Sequence, residues 1–401
     1  MTATITGIIA EYNPFHKGHL HHLYSAREKT GAEALLVVLS SNFVQRGLPA
    51  FLDKRSRTLS ALRGGADLVL ELPVPFSSHN AGVFASAGVD ILAATGLVTH
   101  ISFGVESEWN RDKILHILVH EPLSFKNKLR ENLSAGFSFV EARCRALDDL
   151  LPGSGDFLKK PNNNLALSYC LRIAQKKYPI EISPILRIGA GYHEENPAEI
   201  SSATAVRKLI AEGQTERALS LLPDFSAEVV AQSIQEGTLF SDEETLWRIL
   251  KALFLLTTPK QLARFAEMRE GLENRLLQMA AEATGFEDFI DRCISRRYPR
   301  GRIQRHCIHF LLGLDHWSNR AFQRLGPPYI RVLGANGTGR EVLRQMRHTA
   351  TLPVISRAIA PATPYAQKLM QLECRGGELR ELIIASNRLH IEKNFIPVML
   401  P

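Results

Sequence analysis

Little in this chain could hold or anchor it other than an apolar core. Its 401 residues include only five cysteines (Cys144, Cys170, Cys293, Cys307, Cys374), an odd number with no Cys-x-x-Cys spacing. That excludes a disulfide framework and a zinc ribbon and fits a reducing compartment. No run approaches the ~18 apolar residues of a membrane span, and the opening Met-Thr-Ala-Thr-Ile-Thr stretch lacks the basic flank of a secretory signal, so a cytoplasmic location without a membrane partner is expected. Internal repeats, low-complexity tracts and the Gly-Lys-(Ser/Thr) ending of a Walker loop are all missing. What is present, 45% hydrophobic and 22% charged residues, is ordinary for a folded protein of one large or two to three smaller domains.

Lysine is missing altogether from residues 292–350, yet this stretch carries 12 arginines against Asp315 and Glu341, a net +10. The preceding stretch, 211–291, is −8, and residues 1–210 are only +3. The guanidinium is a planar fork of donors suited to phosphate, so a block of one sign beside an acidic one is the footprint of a polyanion-binding face. A solvated helical surface, ion-paired to the acidic segment, gives the same pattern.

The first half alternates apolar runs with helix-like stretches. Strands are expected at Ile5–Ala10, Ala34–Leu39, Asp67–Leu72 and His100–Phe103, with helices at His19–Lys29 and Ala81–Thr95, which is the pattern of βαβ units around a parallel sheet. From about Ser201 amphipathic helical periodicity takes over, at Glu243–Leu256, Pro259–Glu282, Ile303–Leu314 and Leu379–Arg388, broken by a Gly/Pro-rich passage from Gly326 to Gly339. The expected fold is therefore an α/β, Rossmann-like domain over residues 1–210, followed by a mainly helical region over 211–401.

Two motifs carry chemistry. The first runs Gly7, Ile8, Ile9, Ala10, Glu11, Tyr12, Asn13, Pro14, Phe15, His16, Lys17, Gly18, His19, Leu20 and puts a His-x-Gly-His element between the first strand and the first helix. Free N–H groups at a helix start favour a phosphate, two imidazoles add donors for charge developing on a phosphoryl group, and Gly18 leaves room for a nucleotide. His21 and His22 follow at once, so a histidine-rich metal site or a capped turn is the plainer reading. The second motif, Glu199–Ile210, reads as a helix start capped by Ser201, Ser202 or Thr204 with Arg207 one turn inside, a cradle for distal phosphates or simply a cap. Leu333–Arg340 is glycine-rich but matches no nucleotide fingerprint; it reads as a turn whose N–H groups and Arg340 could meet an RNA phosphate. Cys170 and Cys307 read as core thiols, and His306, Cys307 and His309 lack a four-ligand zinc pattern.

Together the two motifs resemble the paired signature of the HIGH-type nucleotidyltransferase superfamily. The segments Ser40–Ala50, Gly65–Pro73, Phe103–Glu106, Pro161–Asn163, Arg187–His193 and Tyr329–Gly334 narrow the resemblance to the bacterial tRNA(Met) cytidine acetate ligase family, over nearly the whole chain. The chain departs from that family at Ser41, where a glycine usually stands, and at Val105, where a serine does; both are expected in loops bordering the site, a change that leaves ATP binding in place and bears on the details of the acyl pocket. The resemblance implies an ATP-dependent ligase that makes acetyl-adenylate from acetate and passes the acetyl group to N4 of the wobble cytidine of elongator tRNA(Met). It implies His16 and His19 as catalytic groups and Gly7–Leu20, Gly104, Asn162, Arg187 and Ile188 as ATP contacts, extended here to Asn163, Ser201, Ser202, Thr204 and Arg207. A magnesium ion is expected with ATP, although no carboxylate pair in the sequence identifies its ligands. The arginine block, represented by Arg296, Arg297, Arg300 and Arg340, is the candidate tRNA surface. The alternatives are an enzyme joining AMP to a small phosphorylated metabolite, which leaves the arginine block without a role, and a non-catalytic RNA-binding protein, against which the intact His16, Gly18 and His19 argue.

Overall fold

The structure, a computed structural model, describes residues 3–107, 111–187, 202–358, 362–386 and 388–401. Its first strand, β1 (Ile5–Ala10), is followed by helix α1 (Lys17–Thr30), which Gly31 ends in the left-handed conformation at φ 65°. Strand β2 (Ala34–Ser40) is buried along its whole length, as expected of a strand covered on both faces. A short hairpin, β3 (Phe43–Val44) and β4 (Leu48–Pro49), leads to α2 (Lys54–Arg63), whose N-cap Asp53 accepts from the Ser56 N–H at 2.7 Å. Then come β5 (Leu68–Leu72), β6 (His100–Val105), β7 (Glu181–Leu186), β8 (Ile330–Ala335), β9 (Val354–Ile355) and β10 (Val398–Met399).

Five of these strands lie side by side in the order β5-β2-β1-β6-β7, all parallel, with Ile8 opposite Val37 and Gly7 opposite Ile101. This is the doubly wound arrangement, and the chain reverses direction across the sheet between β1 and β6. In such sheets the crevice outside the carboxyl ends of the strands at that point is where ligands bind. The helix Ala81–Ala94 lies so close over β1 that methyl groups would not fit: a Cβ on Gly7 would stand 2.5 Å from Leu92, and one on Gly88 2.7 Å from Ile9. Gly7 is thus a packing glycine as well as part of the first motif.

The Gly/Pro-rich passage is not only a break. Residues 330–335 form β8, which pairs antiparallel with β5 and brings β9 and β10 into the same sheet. The C-terminal half therefore completes the sheet begun by the N-terminal half. The helical content also starts before Ser201, because a set of helices from residue 111 to Lys176 is inserted between β6 and β7. Two expected helices are corrected. Pro259–Glu282 is split into Pro259–Leu262 and Leu272–Glu282 by Glu267, Glu270 and Gly271, all at positive φ. The last helix runs from Pro364 to Ile383, earlier than expected, and stops before Ala385, which has φ 54°.

A buried charge cluster joins the two halves. Lys54 of α2 donates to Glu71 of β5, to Glu373 at 2.7 Å and to Glu392 at 2.8 Å, while Arg331 of β8 donates to Glu392 at 2.6 Å. The three carboxylates alone have the spacing of a metal site, but the Lys54 ammonium is bonded to all of them and supplies the compensating charge. Two cations face three acids, and burial together with Glu71 pushes the Glu373 carboxyl up to about 7. Removing one member of such a cluster leaves uncompensated buried charge, so it fixes how α2, β5, β8 and the C-terminal tail meet. Ser41 faces this cluster, donating to Glu373, and Val105 is buried in the core.

Candidate active site

The His-x-Gly-His element sits where the topology places a ligand, past the end of β1 and opening α1. His16 is the N-cap of the helix and is 4% exposed. Its backbone N–H donates to His19 Nδ1 at 3.2 Å, and the two imidazoles stack with centroids 3.6 Å apart. Because His19 accepts at Nδ1, its neutral ring carries the proton on Nε2, where it is available as a donor. Burial, then the charge of Arg187, holds His16 down to about 4, and burial holds His19 well below the usual imidazole range. Both rings are neutral near pH 7. The Nδ1 atom of His16 is buried without a hydrogen-bond partner among the described residues.

The plainer reading of the histidine run as a metal site finds no support among the described residues: His22 is turned to Ser102 of β6 at 3.1 Å and His21 to Ser25 at 3.3 Å, and no group of histidines has metal-ligand spacing. The loop before His16 is held rigidly. Tyr12, at φ 48°, packs edge-on against Phe15 and His19. Asn13 accepts from the Phe51 N–H at 2.7 Å through its side chain, and the Phe15 carbonyl accepts from Ser226 at 2.7 Å. Arg57, fully buried on α2, donates to the carbonyls of Glu11 (3.0 Å), Ser40 (2.7 Å) and Ser41 (2.6 Å) and so ties together the carboxyl ends of β1 and β2.

Two guanidiniums stand at the histidine site, one near the rings and one on the loop before them. Arg187, exposed at the end of β7, donates its backbone N–H to the Val105 carbonyl at 2.8 Å, which extends the β6–β7 pairing by one residue and fixes where its side chain starts. That side chain lies over Gly104, where an added Cβ would meet it at 3.0 Å. On the other side Ser202 caps the helix Ala203–Ala211, accepting from the Ala205 N–H at 3.2 Å, and Arg207 one turn in donates to the Asn13 carbonyl at 2.6 Å and to Thr204 Oγ1 at 3.2 Å. Arg207 therefore braces the histidine loop as well as facing it. Burial pulls its pKa down, as does the charge of Arg46, while Glu11 opposes the shift.

Arg46 lies beside the site without having been singled out by the sequence. It stands exposed in the β3–β4 turn, within electrostatic reach of Glu11 and Arg207, and its neighbour Gly47 lies at φ 78° against the backbone of Gln304 and Arg305. Its segment is among those that resemble the ligase family, but a lone arginine in a turn carries no signal of its own. Glu11 accepts from the Gln45 N–H at 2.7 Å, and burial raises its pKa against the pull of Arg57, Arg207 and Arg46.

Asn162 donates to Glu106, and Asn163 accepts from the Glu106 N–H at 2.8 Å while donating to Ser107 and to the Phe157 carbonyl. Fully buried Asn163 spends its amide on shaping the loop after β6. Ile188 and Ser201 lie outside the described residues. The arginine block is dispersed. Arg297 pairs with Glu270 at 2.9 Å, Arg300 with Glu287 and Asp291, and Arg340 donates to the Leu400 carbonyl at 2.6 Å. Arg296 lies 3.5 Å over the Phe137 ring.

A parallel sheet with this strand order, and a His-x-Gly-His pair at its switch point, define a HIGH nucleotidyl transferase; the family model of that description matches residues 3–394. The tRNA(Met) cytidine acetate ligase of Clostridium perfringens (strain ATCC 13124) is 35% identical over 367 residues, 88% of this chain and 89% of the relative. That of Thermoanaerobacter sp. (strain X514) is 37% identical over 372 residues, 91% of this chain and 90% of the relative. The chain belongs to the tRNA(Met) cytidine acetate ligase family. The crystal structure of Thermotoga maritima TmcAL bound with alpha-thio ATP has the same fold, with a TM-score of 0.93 and 31% identity over 99% of both chains.

Proposed function

We propose that this chain activates acetate with ATP and acetylates N4 of the wobble cytidine of elongator tRNA(Met). The observation that carries the reading is the pair of stacked, neutral imidazoles of His16 and His19 at the β1/β6 crevice, in a chain of the tRNA(Met) cytidine acetate ligase family.

An acetate oxygen attacks the α-phosphorus, the bond to the bridging oxygen of the β-phosphate breaks, and pyrophosphate leaves. The protein need supply no nucleophile. His19, through Nε2–H, and His16 donate to the α-phosphoryl oxygens as charge builds on them in the crowded transition state. Arg187 lies on the β6 side of that position, and Arg207 and Arg46 serve the distal phosphates, with Ser202 and Thr204 at the same helix start. Gly104 keeps the floor clear, and Asn162 and Asn163 hold its rim. In the second step the N4 amine attacks the acetyl carbonyl, AMP leaves, and the amine loses a proton to solvent.

Glu11 and Glu106 accept from the Gln45 N–H and from Asn162. An ion arriving with ATP would be held chiefly by the phosphates. The division of labour proposed here gives residues 1–210 the adenylate chemistry and residues 211–401 the tRNA.

The test is exchange of labelled pyrophosphate into ATP without RNA. Exchange that requires acetate supports the reading. Exchange that ignores acetate, or that needs a small phosphorylated acceptor instead, overturns it.

A further inference from the structure

A cavity of about 390 Å³ lies one helix layer away from the sheet, between the helices Ala81–Ala94 and Pro161–Lys176 and beneath the helix His316–Leu325. It shares no lining residue with the histidine site. Its walls combine apolar side chains, among them Phe76, Leu171 and Phe322, with the polar groups of Asn80, Gln175 and Gln323. Two arginines line it and differ in state. Arg172 is neutralised by Asp90, to which it donates through Nε at 2.8 Å and through Nη2. Arg143 has no carboxylate within ion-pair distance among the described residues; it donates to the Asn164 side chain, and its Nε is buried without a partner. Burial lowers the pKa of that guanidinium, as expected of a charge lacking a counter-ion.

An uncompensated guanidinium with an unused donor, set beside apolar walls and amide edges in a space of this size, calls for a ligand with an anion at one end and a flat, hydrogen-bonding ring at the other. The surroundings point to an RNA segment as its source. Phe137, two residues before the helix Phe139–Asp148 that carries Arg143, is sandwiched between Arg145 at 4.0 Å and Arg296 at 3.5 Å. Arg320 and Arg324 stand exposed on the helix that roofs the cavity.

We infer that this cavity receives one unpaired nucleotide of the RNA substrate, its base over Leu171 with its edge toward the amides of Gln175 and Gln323, and its phosphate on Arg143. The inference rests on the tRNA reading above. Hydrogen bonds to base edges are one way proteins hold splayed-out bases, and a base held here would anchor the RNA while another nucleotide enters the histidine site.

Two variants test it: Arg143→Ala, which removes the cation, and Ser86→Leu, which fills part of the cavity from its wall. Both are checked by melting temperature and by acetate-dependent pyrophosphate exchange, which should match the wild type. In each, affinity for unmodified tRNA(Met) should fall about tenfold or more, the scale of one lost base contact. Abasic nucleotides placed singly at unpaired positions of the tRNA should reveal one position whose loss weakens wild-type binding but not binding to Ser86→Leu. Well-folded variants that bind tRNA as tightly as the wild type overturn the inference, as does displacement of a free mononucleotide from the cavity without any effect on tRNA. If wild-type protein performs the exchange but binds no tRNA, the tRNA reading itself fails, and that result is distinguishable because the variants are not needed to obtain it.

Discussion

At the scale of single residues, the electrostatic state of the two histidines matters most. His16→Ala and His19→Ala should each lower acetate-dependent pyrophosphate exchange by about 10²- to 10⁴-fold while ATP affinity changes little, because neutral donors at a developing charge act on the transition state. Single-turnover rates and equilibrium ATP binding measured side by side check this, and near-normal exchange in both variants contradicts it. Burial holds His16 and His22 to about 4. The unfolded chain takes up protons at these sites as pH falls below about 6.5, whereas the folded chain resists until about pH 4. Stability that is fully present above about pH 6.5 is therefore lost as pH falls toward 4, and the melting temperature should decline across that window, less steeply in His22→Asn. A decline with the same slope in that variant removes His22 from the account. Arg207→Ala should weaken ATP binding more than AMP binding if its guanidinium reaches the distal phosphates. Equal losses would leave it only its bond to the Asn13 carbonyl, a brace for the histidine loop.

At the scale of elements, the strands are legible wherever burial covers both faces. The apolar runs of β1, β2, β5 and β6 stand out in the sequence, and each is a parallel strand in the sheet. The strand β7 does not stand out, because Glu-Ile-Ser-Pro-Ile-Leu lies at the sheet edge, half exposed and with a proline. The strand β8 is hidden by its Gly/Pro flanks, and the break in Pro259–Glu282 by amphipathic periodicity that continues through it. For the site, the His-x-Gly-His motif and its helix are readable because their spacing is local. Arg46, Arg57 and Ser226 are not, since each reaches the site only through the tertiary fold. The β3–β4 hairpin shows how such long-range placement is enforced. A Cβ on Gly47 would stand 2.4 Å from the Arg305 backbone nitrogen, and φ there is 78°. Gly47→Ala should therefore cost about 2 to 4 kcal/mol, from left-handed strain together with overpacking against backbone. Urea unfolding measures it, and a loss below ~0.5 kcal/mol would mean that the hairpin yields easily.

At the scale of the whole molecule, the two halves are chemically distinct but structurally interlocked. The C-terminal half supplies β8 and β10 to the sheet, Glu373 and Glu392 to the buried cluster, and Ser226 to the histidine loop. The arginine block is partly spent on acidic neighbours, as Arg297 with Glu270 and Arg300 with Glu287 and Asp291 show. Replacing Arg296, Arg297 and Arg300 by Glu should still weaken tRNA binding and flatten its salt dependence, leaving acetate-dependent exchange largely intact, provided the melting temperature is unchanged. Unchanged tRNA affinity in a well-folded variant would assign these arginines to a solvated, ion-paired face. No helix among the described residues is long and apolar enough to cross a membrane. The most direct measurement supplies the protein with ATP, labelled acetate and unmodified elongator tRNA(Met), then digests the RNA to nucleosides. The account predicts label in N4-acetylcytidine from the wobble position, with AMP and pyrophosphate released in equal amounts. Unlabelled RNA alongside AMP joined to a small molecule would contradict it.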